Sequence, residues 1–94
     1  MPKYLMLSRL SERGLQTLRA NPERINEVNK DVEELGARVL HQWAMIGLYD
    51  FCNVVEAPDA KTIAKVSIAL ASRGSAKLQT FELVEIEELL AELE

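Results

Sequence analysis

The chain contains little from which a covalent or metallic framework could be built. Cys52 is the only cysteine among 94 residues. No disulfide can therefore close within the chain, and no cysteine-based zinc site can be assembled. Cys52 lies in an apolar run and reads as a small buried hydrophobe. His41 is the only histidine, and the carboxylates around it show no metal-ligand spacing. No cofactor is evident. No apolar stretch reaches the roughly 18 residues of a membrane span, and no charged segment leads into a long apolar run as in a signal peptide. A cytoplasmic location without a membrane partner is the expectation. Gly-rich phosphate loops, nucleophile elbows and Ser/His/Asp arrangements are also missing.

An excess of positive charge is lacking too. The net charge is −4, unevenly spread. Residues 1–81 carry eleven Lys or Arg against nine acids, and the other six acids fall between Glu82 and Glu94. So small a basic surplus leaves no electrostatic footprint for nucleic acid, and none is expected as a partner. The acidic end reads as a solvated face. With 48% apolar and 28% charged residues, the composition is globular. The length suits a single domain, 1–94, with one modest core that self-association would help to stabilise.

The patterning that is present gives an order of elements. "KYLMLSR" (3–9) predicts a strand. Ser11 is a candidate N-cap for a helix carrying Leu15 and Leu18. Asn21 and Pro22 read as a cap and first helical residue of a second helical stretch. Ile25, Val28, Val32 and Leu35 then form one apolar stripe, and Gly36 is the expected stop. Residues 37–46 predict the second strand, with Val39, His41, Trp43 and Met45 on one face. "GLYD" (47–50) is a turn and 51–57 the third strand. Asp59 can cap a helix through Ile63, Val66 and Leu70 to Gly74. Residues 76–84 give a fourth strand. Ile86, Leu89, Leu90 and Leu93 mark a short amphipathic C-terminal helix.

This β-α-β-β-α-β order is the split βαβ, or ferredoxin-like, pattern: an α+β fold with a four-stranded antiparallel sheet. Right-handed crossovers put the helices on one face. The other face is then bare. If it carries Tyr4, Met6, Trp43 and Met45, it is a large apolar patch. Two such sheets packed face to face would cover it, giving a homodimer or higher oligomer with a barrel-like centre. The alternative is a monomer whose C-terminal helix covers that face.

The sequence resembles the GYD-domain family. "GLYDFCNVVEAPD" (47–59) carries the match, in the pattern Gly-x-Tyr-Asp, a β run, then Glu-Ala-Pro-Asp. The opening "MPKYLMLS", "NPERINEV" (21–28) and "ALASRGSAKLQT" (69–80) agree in register. The resemblance implies a small prokaryotic protein of the dimeric α+β-barrel superfamily, with no activity attached to the family name. Cys52 and Asn53 stand where β-branched residues are commoner. His41 replaces a small polar residue, and "SAKLQT" replaces a strand containing Val-Arg-Thr. Any ligand would thus be particular to this protein.

The candidate chemistry is confined to a few side chains. His41 shares a strand face with Trp43. Inside an apolar barrel it could shuttle protons near neutral pH or ligate a haem axially. Barrels that this one resembles include haem-degrading and cofactor-free oxygenases. At a sheet edge it is a structural histidine. Tyr49 and Asp50 either build the turn or line the mouth of the cavity. Glu56 is a general base if desolvated, and otherwise a strand-end partner for Lys or Arg. Asn53 is the odd residue in its apolar run, since a buried amide must find partners. The expected ligand-binding set is Tyr4, Met6, His41, Trp43, Tyr49 and Asp50, with His41, Glu56 and Tyr49 as catalytic candidates. Three functions are compatible with this set. One is binding of a small apolar or aromatic ligand, or a partner, between two sheets. The others are an oxygenase- or isomerase-like enzyme and an assembly or regulatory module without a ligand.

Overall fold

The first strand, β1 (Lys3–Leu10), is flanked by β3 (Phe51–Glu56) on one side and β4 (Ala76–Leu83) on the other. β2 (Arg38–Ala44) completes the sheet outside β3. The strand order is β2-β3-β1-β4, and every pairing is antiparallel. Helices α1 (Glu12–Ala20) and α2 (Arg24–Glu34) cross between β1 and β2, and α3 (Ala60–Ala71) crosses between β3 and β4. A last helix, α4 (Ile86–Leu93), follows β4. The computed structural model describes all residues from Met1 to Glu94, and this arrangement is the ferredoxin-like fold.

Local chemistry places the helix ends. The Ser11 hydroxyl accepts from the Gly14 N–H at 3.1 Å and donates to the Gly74 carbonyl at 3.0 Å, so one side chain caps α1 and ties it to the loop before β4. Asp59 Oδ1 accepts from the Thr62 N–H at 2.9 Å and from its hydroxyl at 2.8 Å. These bonds hold the Asp59 carboxyl below the usual carboxylate range. Asn21 departs from its expected role. It is the C-cap of α1, with its N–H donating to Thr17, and its carbonyl accepts from Arg24 in the turn before α2. Pro22 therefore sits in that turn, and α2 begins at Arg24. Gly36 does end α2's stripe, at φ 102°, a conformation that costs glycine least.

The core lies between the helices and one face of the sheet. Tyr4 and Met6 from β1, Val55 from β3, Val32 from α2 and Ile63 and Val66 from α3 are buried together. Only ten of the 94 residues are buried, a sparse interior for this length, so much apolar surface is left for something else to cover. Helix α4 contributes nothing to this core. None of its residues is buried, and Leu93 is 73% exposed. The alternative in which this helix roofs the sheet's bare face does not hold.

Candidate functional site: the open face of the sheet

Register assigns each strand residue to a face. Tyr4, Met6 and Ser8 stand opposite Val55, Asn53 and Phe51 and look toward the helices. Leu5 and Leu7, opposite Val54 and Cys52, look the other way. Tyr4 and Met6 are therefore core residues, 3% and 2% exposed, and, contrary to expectation, not part of the bare face or of a ligand-binding set on it. Burial, with a smaller contribution from Glu82, pushes the Tyr4 phenol above its ordinary pKa. The physical reason for the correction is that both alternating sets of β1 are apolar, so period alone does not choose the buried one.

A register shift between Val39 and His41 makes a second correction. Val39 pairs with Val55 on the helix side, while His41 pairs with Val54 on the open side. The extra residue, Leu40, is a bulge that turns one alternation into another. Val39 thus leaves the face it was expected to share with His41 and Trp43.

The open face consists of three cross-strand rows. Trp43, Cys52, Leu7 and Gln79 form one; His41, Val54, Leu5 and Phe81 form the next; Arg38, Glu56, Lys3 and Leu83 form the third. Two rows are mainly apolar or aromatic. His41 and Trp43 stack with ring centroids 5.5 Å apart and an interplanar angle of 15°, an offset contact that orders both rings. Trp43 is 54% exposed and Phe81 48%. Tyr49 joins this face from the 47–50 turn, donating its hydroxyl proton to Gln79 Oε1. His41, Trp43 and Tyr49 are brought to one surface, but that surface has no opposing wall within the chain.

The charged row closes one end. Glu56 Oε1 lies 3.9 Å from Arg38 Nη1, and Lys3 stands opposite Glu56 in the ladder. Lys3 Nζ bonds Glu85 Oε1 at 2.9 Å. That bond raises the Lys3 pKa and lowers that of Glu85. Glu56 occupies the strand-end position with basic neighbours. At the other end Arg9 faces Lys77, a cross-strand pair of like charge. Asp50 lies at the rim and is committed to backbone: its Oδ2 accepts from the Leu10 N–H at 2.8 Å. Asn53 faces the helices, with Oδ1 buried and unpartnered. No group of three or more His, Cys, Asp or Glu side chains is gathered to hold a metal ion, and no helix is long and apolar enough to cross a membrane.

Leu5, Leu7, Phe81 and Leu83 belong to this surface without having been singled out in the sequence. The signal that finds them is pairing register, since they share a face only once β1 and β4 are aligned.

A ferredoxin-like domain with three helical segments on one side and an apolar, aromatic sheet face on the other defines the class: a small α+β domain with an uncovered sheet surface. Within that class the chain belongs to the GYD-domain family, whose model matches residues 4–92. It is 50% identical over 94 residues to a protein of Thermus thermophilus named glutamine synthetase and cystathionine beta-lyase binding protein. The match covers 99% of each chain. No solved structure matches significantly.

Proposed function

We propose that this protein is a non-catalytic binding module that self-associates through the open face of its sheet and engages an enzyme as its partner. The observation that carries the reading is the uncovered surface of Trp43, His41, Phe81, Leu5 and Leu7. Exposed side chains of this kind gain by leaving water, at about 25 cal/mol per Å² of apolar area covered. A second copy is the simplest cover, because two identical faces are self-complementary about a two-fold axis.

The partner reading rests on the relative. A protein matched end to end at 50% identity is named for binding glutamine synthetase and cystathionine beta-lyase, and enzymes of these kinds are the partners proposed here. Helix α4 suits that role. Ile86, Leu89, Leu90 and Leu93 repeat at spacings of three, one and three on a helix whose residues all remain exposed. A ligand held between two such faces would meet His41 and Trp43, so that reading depends on self-association first.

Binding is tested by immobilising the full chain and passing purified glutamine synthetase or cystathionine beta-lyase over it. Saturable binding of either, weakened at least tenfold by Leu90→Glu, supports the reading. Absence of binding by both contradicts it.

A further inference from the structure

Helix α4 is anchored at its first end. The Lys3 ammonium bonds the carboxylate of Glu85, the N-cap residue, at 2.9 Å. Beyond that anchor none of the helix is buried. The chain spans 52 Å along its longest axis and has a radius of gyration of 14.3 Å, against about 12 Å for a compact domain of this length. A helix that buries nothing and is pinned at its start stands out from the domain as an arm.

The two sides of this arm differ in chemistry. At 3.6 residues per turn, Ile86, Leu89, Leu90 and Leu93 fall within about 100° of the circumference. All four are exposed, by 45% to 73%. Glu87 borders this stripe on one side, and Glu88 and Glu92 border it on the other. Residues 78–94 hold six acids and no Lys or Arg, so no basic residue within the segment neutralises them. The apolar stripe also continues through Val84 and Leu83 to the edge of the open face, where Leu83 stands opposite Lys3.

By itself the helix is poorly supported. Eight residues are few for a helix without packing. Glu88 and Glu92, four residues apart, are a like-charged pair. The last turn holds Glu92 and no basic residue, the unfavourable sign for that end of the helix dipole. A surface that gave apolar contact to the stripe and positive charge to its flanks would offset all three. A second copy, with a net charge of −4, is the less suitable source of that charge. We infer that α4 docks, as a helix in a groove, on an enzyme surface with an apolar floor and a rim of Lys or Arg side chains. This docking mode rests on the enzyme-binding reading above and names the chemistry of the partner's site.

The test compares the unmodified full chain with the triple variant Glu87→Gln/Glu88→Gln/Glu92→Gln. Glutamine keeps the length and helix propensity of glutamate. None of the three residues is buried or paired with a cation, so the variant keeps the fold. Both chains are immobilised, and purified glutamine synthetase and cystathionine beta-lyase are passed over them at about 0.05 M and about 0.5 M salt. An enzyme that binds the unmodified chain should bind the variant about tenfold more weakly at the lower salt. At the higher salt the difference should shrink to less than about threefold. Equal or tighter binding of the variant at low salt overturns the inference and leaves the enzyme-binding reading standing. Binding of neither enzyme to the unmodified chain overturns both. A variant with unchanged enzyme affinity but a lower mass in solution assigns α4 to a second copy, and overturns the inference too.

Discussion

The Asp50 carboxylate accepts the backbone N–H of Leu10 at 2.8 Å, joining the turn before β3 to the end of β1 across forty residues of sequence. The Asp50 backbone strengthens the same junction. Its N–H donates to the Ser8 carbonyl at 2.8 Å, and its carbonyl accepts from Met45 at 2.7 Å. Asp50 is thus a turn residue at the rim of the open face. Replacing Asp50 by Ala should lower stability by about 1–3 kcal/mol, because the Leu10 donor loses its acceptor. Asp50→Asn, which keeps an acceptor oxygen, should cost less. Urea unfolding midpoints at pH 7 check both.

Gly14→Ala should also destabilise, against the usual trend. In an exposed helix interior, alanine is favoured over glycine by about 1 kcal/mol. Here an added Cβ would fall well inside van der Waals distance of the Ser75 carbonyl oxygen, which is backbone and held by the Ser11 N–H at 2.9 Å. Relieving the clash means moving α1 away from β4, a cost of about 1–3 kcal/mol by the measure of overpacked cores. Equilibrium unfolding of the variant gives the sign.

Acid should weaken the chain partly through Asp59. Its pKa is lowered in the folded state from an ordinary value of 3.8, chiefly by the Thr62 N–H and hydroxyl. A depressed carboxylate pKa contributes stability that is present above the unfolded value and is lost as pH falls from there through the folded value. The loss attributable to Asp59 therefore begins near pH 3.8 and continues below it. Asp59→Asn keeps a capping oxygen without titrating, so its stability should fall less steeply over that window. Urea midpoints from about pH 2 to about pH 6 for both chains make the comparison.

Removing residues 86–94 should leave the stability of the remaining domain within about 0.5 kcal/mol, because α4 buries none of its residues. Enzyme binding should be lost in the same truncated chain. A large fall in unfolding midpoint would place α4 in the fold itself.

The element order was legible because its punctuation is strong. Ser11, Gly36 and Asp59 act as the start and stop signals their chemistry suggests, and the stripe from Ile25 to Leu35 needs one buried side. Face assignment was harder. Tyr4–Met6 and Leu5–Leu7 are equally apolar alternatives, and only pairing with Val55 and Asn53 reveals which set meets the helices. Leu40 carries no mark of a bulge, yet it separates Val39 from His41. His41 and Trp43 share a face because nothing interrupts the alternation between them. Asn53 stands out in its apolar run, but its neighbours, Met6 and Gln42, come from other strands, which spacing within β3 does not report.

The mass of the chain in solution tests the central claim most directly. Light scattering at micromolar concentration should give at least twice the 10.6 kDa of one chain, and Trp43→Glu, which puts a charge in the middle of the open face, should shift the mass toward a single chain. A mass of 10.6 kDa for the unmodified protein would contradict self-association through this face.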